Sequence, residues 1–233
     1  MNLKGSRALV TGGSEGIGRG IAEALIRKGA RVAIMSRNKE KVEKVAGEIG
    51  ALPIQGNVGI EADAVRAVET VVREFGGIDL LVNNAGFGQF FSLVEADVSR
   101  FEDVFRTNVT GAMLMAREAA KHFIAEESGH LVNISSTSGL RGGRGSTAYA
   151  GSKFALRGMT ECWRDELRPH NVRVTLVNPS EVQTGFFKKV GREQEESLKK
   201  LRPSEIADAI VGALEIDDRG FIPEFSVFAT NPF

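Results

Sequence analysis

Apolar residues recur along the chain in two alternating rhythms. Short β-rich runs appear at Arg7–Thr11, Arg31–Ser36, Ala51–Gly56, Ile78–Val82, His130–Ser135, Val172–Val177 and Phe221–Phe228. Between them lie stretches with helical spacing. In Ile17–Lys28, for example, Ile21, Ala24, Leu25 and Lys28 share one face. The others are Lys39–Ile49, Glu61–Phe75, a long region from about Val98 to Glu126, a segment from Tyr149 to about Arg168, and Pro203 to about Glu215. Seven strands that alternate with helices predict a mostly parallel sheet covered on both faces, because each parallel crossover needs a covering element. The expected fold is α/β, a doubly wound Rossmann-type sheet. Neither a linker nor an internal repeat divides residues 1–233, so a single domain of this type is expected. Such sheets bind ligands at the carboxyl ends of their strands.

The candidate chemistry falls at those ends. Gly12, Gly13, Ser14, Glu15, Gly16, Ile17 and Gly18 join the first strand to the first helix. Glycines let the backbone turn sharply and approach a pyrophosphate, and the helix N-terminus offers free amides and a positive dipole. The spacing is Gly-x-x-x-Gly-x-Gly rather than Gly-x-Gly-x-x-Gly, and an ordinary tight turn is the plainer alternative. Where NAD-binding units carry an acidic residue for the ribose 2′-hydroxyl, this chain has Ser36-Arg37. No carboxylate repels a 2′-phosphate there, and a guanidinium pairs with one through two hydrogen bonds. NADP(H) is therefore the expected cofactor, with NAD(H) the alternative. Glu15 works against this by adding negative charge close by.

Tyr149, the chain's one tyrosine, is followed four residues later by Lys153. On a helix they share a face, about 6 Å apart along the axis. With Ser146 or Thr147 capping the helix, its dipole and the ammonium would favour phenolate and lower the phenol pKa. A lowering of three units takes about 4 kcal/mol of differential stabilisation. The alternative is a half-buried tyrosine beside a surface lysine.

Composition narrows the field. Thirty basic and thirty acidic residues cancel, which argues against a nucleic-acid partner. Lone Cys162 excludes an internal disulfide and suits a reducing compartment. The three histidines are scattered, so no metal is expected. Nothing resembles a signal peptide or a membrane span, and a cytoplasmic protein without membrane contact is the expectation.

The ordered set Thr11-Gly-x-x-x-Gly-x-Gly18, Asn83-Asn84-Ala85-Gly86, Asn108, Ser136 and Tyr149-x-x-x-Lys153 resembles the short-chain dehydrogenase/reductase family along nearly the whole chain. The resemblance implies that Tyr149 gives and takes the proton and that Ser136 hydrogen-bonds the substrate oxygen. Lys153 lowers the tyrosine pKa and holds the nicotinamide ribose, while Asn108 anchors a water leading to solvent. Ser135 beside Ser136 is the rival hydroxyl. The resemblance also assigns Asn84, Ala85 and Gly86 to the adenine ribose. Asn57-Val58 falls at the adenine edge, where the family often has Asp-Val. Pro179, Val182 and Thr184 belong to the loop touching the nicotinamide carboxamide, in which Ser180 replaces the usual glycine.

The implied activity is carbonyl–alcohol interconversion on a small-molecule substrate. A non-catalytic nucleotide sensor on the same fold, and isomerase or dehydratase chemistry, are the alternatives. The C-terminal segment lacks the Thr-Gly-Gln and Val-Asp-Gly-Gly pattern of common 3-oxoacyl-carrier-protein reductases. It is closer to short members acting on 3-hydroxy acids and small carbonyls. Phe87, Phe90, Phe91 and Leu140 are candidates for the pocket edge, and Arg141 and Arg144 for contact with an acidic substrate. Residues 185–202, with Phe186-Phe187 as their apolar pair, are either a lid or a surface loop. A homodimer or homotetramer is expected through the long helices around Met113 and Phe154.

Overall fold

A computed structural model describes residues 1–186, 197 and 199–231. The polar stretch considered as a lid, including Phe187, falls mostly outside these residues. The elements run β1 (Arg7–Thr11), α1 (Gly16–Arg27), β2 (Arg31–Ser36), α2 (Lys39–Ile49), β3 (Leu52–Gln55), α3 (Glu61–Phe75) and β4 (Leu80–Asn83). Then come α4 (Val98–Phe105), a π-helical turn (Arg106–Gly111), α5 (Ala112–Ala125), β5 (Gly129–Ile134), α6 (Thr147–Leu167), β6 (Val172–Pro179), α7 (Pro203–Leu214) and β7 (Glu224–Val227).

The seven strands form one parallel sheet in the order β3-β2-β1-β4-β5-β6-β7. The order reverses between β1 and β4, so a crevice opens there at the carboxyl ends. Alternation along β1 sends Ala8 and Val10 to a core with α1, α2 and α7, and Leu9 to a second core with α3 and α5. Helices therefore cover both faces, as the alternation of elements required. The long region after Val98 is not one helix. The π turn splits it, placing Asn108 in a widened coil of the kind common at functional sites. Ser146 precedes α6, but its hydroxyl accepts from the Gly143 amide (3.1 Å) and donates to the Gly143 carbonyl (2.6 Å). The expected side-chain cap at Ser146 is replaced by a tied turn.

At the opposite, amino-terminal edge, His130 on β5 is buried with its Nε2 3.1 Å from Thr175 Oγ1. Burial, then the charges of Arg173 and the N-terminal ammonium, push its pKa from 6.5 to about 3. Between those values the unfolded chain binds a proton that the folded chain refuses. Stability therefore falls as pH drops through this window, by up to about 1.4 kcal/mol per unit from this group. In His130→Gln, which cannot titrate, the loss of urea-denaturation midpoint between about pH 7 and about pH 4 should be clearly smaller than in the parent. Equal losses would remove His130 from the acid limit.

Candidate active site

The crevice at the switch point is a cavity of about 610 Å³ running from the glycine turn to Tyr149. Its wall includes Gly12, Ser14, Glu15, Gly16 and Ile17 from the first turn, with Ser36 and Arg37 from the end of β2. Asn57, Val58, Asn84, Ala85, Gly86, Ser136, Tyr149, Lys153, Pro179, Val182 and Thr184 complete the expected set. Two expected residues are not on the wall. A Cβ at Gly18 would lie 2.4 Å from both Asn84 Nδ2 and the Gly12 carbonyl oxygen. That glycine serves close packing of α1 against the loop rather than ligand contact. Asn108 lies behind the wall: its Oδ1 accepts from the Phe87 amide (3.0 Å), while Nδ2 donates to the Phe87 carbonyl and the Ser152 hydroxyl (2.9 Å each). Its side chain thus clamps the loop after β4.

The glycine end has the form of a phosphate cradle. Gly12 has φ of +65°, and a Cβ there would lie 2.9 Å from Asn84 Nδ2 and 3.0 Å from Ala85 Cα. Only glycine allows this turn and approach together. Thr11 Oγ1 accepts from the amides of Asn84 and Ala85 (3.0 Å each), locking the ends of β1 and β4 together. Glu15 precedes α1 without a side-chain cap hydrogen bond, so among the described residues its carboxylate does not occupy the first-turn amides. The Glu15 carboxylate is paired with Lys41 of α2, which offsets the negative charge noted beside Arg37. Lys41 gave no signal in the sequence, because the contact spans 26 residues and exists only once β1 and β2 lie side by side. A dinucleotide therefore fits the residues present: amides for pyrophosphate, Ser36 and Arg37 at the ribose end, and a continuous trough to Tyr149.

At the other end, Ser135 and Ser136 separate in role. Ser135 is buried and donates to the Lys153 carbonyl on α6 (3.3 Å), whereas Ser136 faces the cavity beside the Tyr149 phenol. Lys153 Nζ donates to the Ile134 carbonyl (2.8 Å) and lies 5.8 Å from the Tyr149 ring centroid. Burial lowers the lysine pKa from 10.5 to about 8. It pushes the Tyr149 phenol up, and Ser136 pulls back only in part. The expected lowering of the phenol is thus not a property of the chain alone. Spacing brought Lys153 close but could not show that the ammonium is turned to a backbone carbonyl.

Phe87 and Phe90 line the cavity, and Phe186 joins them. Phe91 and Leu140 are absent from the lining, as are Arg141 and Arg144, which are exposed. Met113 packs into the second core, and Phe154 is 45% exposed on α6. Cys162 is exposed. Among the described residues no cluster could hold a metal ion, and no helix is long and apolar enough to cross a membrane.

A doubly wound sheet with a glycine turn at its first βα junction defines a Rossmann-type nucleotide-binding protein. Residues 6–195 match the short chain dehydrogenase family model, and the chain belongs to that family of oxidoreductases. It is 36% identical over 190 residues to zerumbone synthase of Zingiber zerumbet, covering 79% of this chain and 71% of the relative. It is 34% identical over 215 residues to a human 3-oxoacyl-[acyl-carrier-protein] reductase, covering 88% and 90%. A 3-ketoacyl-(acyl-carrier-protein) reductase from Brucella melitensis complexed with NADH superposes with a TM-score of 0.91 at 28% identity, covering 99% of this chain and 100% of that one. An alcohol dehydrogenase from Thermococcus sibiricus complexed with 5-hydroxy-NADP gives 0.88 at 26%, covering 97% of each. Two nicotinamide cofactors thus occur among such relatives, and a nicotinamide cofactor is supported here.

Proposed function

We propose that this chain is an NADP(H)-dependent oxidoreductase interconverting a carbonyl and a secondary alcohol. The observation that carries this is Tyr149, beside Ser136 and buried Lys153, at the end of a cavity continuous with the glycine turn. The bound nicotinamide supplies or accepts the hydride.

The protein's residues handle the oxygen and its proton. Reduction develops negative charge on the substrate oxygen, which a fixed donor stabilises most when it is already in place. Ser136, held by the Ser138 amide on its oxygen (3.1 Å), is such a donor. Tyr149 gives its phenolic proton to that oxygen, and takes it back in oxidation. A phenol kept neutral by burial is ready to donate. Lys153, anchored on Ile134 at the end of β5, supplies positive charge as the phenolate forms and a donor for the nicotinamide ribose. Asn108, through both polar atoms of its side-chain amide, positions the loop around Phe87.

Gly12, Ser14, Gly16 and Ile17 would hold the pyrophosphate. Asn57 and Val58 would border adenine, Asn84–Gly86 its ribose, and Pro179, Val182 and Thr184 the carboxamide. Arg37 and Ser36 would bind the 2′-phosphate, with Glu15 neutralised by Lys41. We read residues 1–233 as one domain working in the cytoplasm on a small molecule, as a homo-oligomer through α5 and α6. Screening carbonyls and alcohols against NADPH and NADP⁺ by nicotinamide absorbance tests the reading. At least one carbonyl should consume NADPH in proportion to enzyme, and a broad panel with no turnover would defeat it.

A further inference from the structure

Tyr149 stands among aromatic rings. Phe90 lies 5.7 Å from it between centroids with planes tilted by 48°, and Phe186 lies 5.4 Å away at 53°. The two phenylalanines come from distant segments, yet both close on one backbone position. A Cβ at Gly88 would lie 2.9 Å from Phe90 Cε2 and 3.0 Å from Phe186 Cζ. A glycine at Gly88 is thus what lets the rings reach this depth. The segment that carries Phe90 is pinned from both sides. Asn108 binds both backbone groups of Phe87, and the Phe91 amide donates to the Gly145 carbonyl (3.0 Å) just before α6.

Charge is distributed to match. Among the described lining residues the cations are Arg37, at the glycine-turn end, and Lys153, already bonded to Ile134. Arg141 and Arg144 are outside the lining. Among the described lining residues, a substrate carboxylate beside Tyr149 would meet apolar ring faces and no cation but Lys153, whose ammonium is already bonded to the Ile134 carbonyl, which is costly for a desolvated charge. A flat apolar group would meet three tilted rings, the offset and edge-to-face geometry that aromatic pairs favour.

We infer that the substrate subsite formed by Phe90, Tyr149 and Phe186 over Gly88 takes a carbonyl attached to a flat, uncharged ring, an aryl ketone or cyclic enone, and not a small oxo acid. This rests on the reductase reading given above. The reaction balances as hydride addition to the carbonyl carbon with the Tyr149 proton going to oxygen, forming a secondary alcohol and oxidised nicotinamide.

Two measurements test it, with acetophenone and 2-cyclohexenone set against acetoacetate and 2-butanone. In the first, kcat/KM with NADPH should be higher for the ring ketones. Phe186→Leu and Phe90→Leu should each lower it about five- to tenfold for acetophenone, and much less for 2-butanone. In the second, saturation-transfer NMR in the presence of NADP⁺, where a ketone cannot turn over, should show the acetophenone ring bound and acetoacetate unbound. Loss of acetophenone saturation in both leucine variants is expected. Acetoacetate binding or reacting as well as acetophenone would overturn the inference, and so would leucine variants that keep the ring preference. If no ketone turns over, the reductase reading fails while the NMR ranking still decides this one. If one leucine variant does not fold, the other carries the test.

Discussion

Tyr149→Phe should lower turnover by about 10³-fold or more while leaving NADPH affinity within about threefold of the parent. The substitution removes one oxygen and keeps the ring, so the contacts to Phe90 and Phe186 at 5.7 and 5.4 Å survive. It also deletes a hydroxyl that burial holds neutral, and with it the group placed to give the substrate its proton. General acid catalysis by a positioned group contributes typically about 10²–10⁴-fold, and no other neutral acid lies beside Ser136 among the described lining residues. Initial rates together with calorimetric titration of NADPH separate the two effects. Turnover within about tenfold of the parent would mean that another group moves the proton.

The second large effect is expected at the far end of the cavity. Arg37→Asp should reduce the NADPH-to-NADH ratio of kcat/KM by about 10²–10³-fold. A hydrogen bond to a charged group contributes about 1.5–3 kcal/mol, and the new carboxylate adds repulsion. The position suits such a test because its structural ties run through the backbone: Gln55 Nε2 donates to the Arg37 carbonyl at 3.3 Å. The neighbouring Glu15 charge is matched by Lys41. Fluorescence titration of both cofactors provides the binding half. A ratio unchanged by the substitution would remove Arg37 from cofactor choice.

Much of the architecture was visible in the chain because buried parallel strands read as apolar runs closed by turn residues. Arg7–Thr11 and Arg31–Ser36 have the bounds expected from sequence, and Glu61–Phe75 does as well. The last strand is shorter, Glu224–Val227 instead of Phe221–Phe228. Pro223 lacks an amide for the ladder, although its carbonyl still accepts from Leu176. The π turn at Arg106–Gly111 left no mark on the apolar spacing, because one extra residue per coil changes hydrogen bonding more than composition. At the site, motif spacing located the wall but not the partners of each group. That Asn108 clamps Phe87, that Gly18 packs on Asn84, and that Lys153 faces Ile134 are consequences of tertiary closure. The same is true of Phe186. Its pairing with Phe187 marked an apolar spot, but only the folded chain brings it onto Tyr149.

Strand β5 has a suppressed base at each end, one of its own and one reaching it from α6. His130, its second residue, stays neutral down to about pH 3, and Ile134, its last, holds the ammonium of Lys153, which releases its proton at about 8. Acid therefore challenges the scaffold from one rim of the sheet, through a histidine remote from the cavity. Alkali reaches the cavity from the other rim, by discharging a lysine at its floor. Two independent titrations thus meet the two ends of one strand, His130 on the strand itself and Lys153 on the helix whose ammonium docks on its last carbonyl. Adjusting the acid limit by replacing His130 would leave the alkaline limit in place.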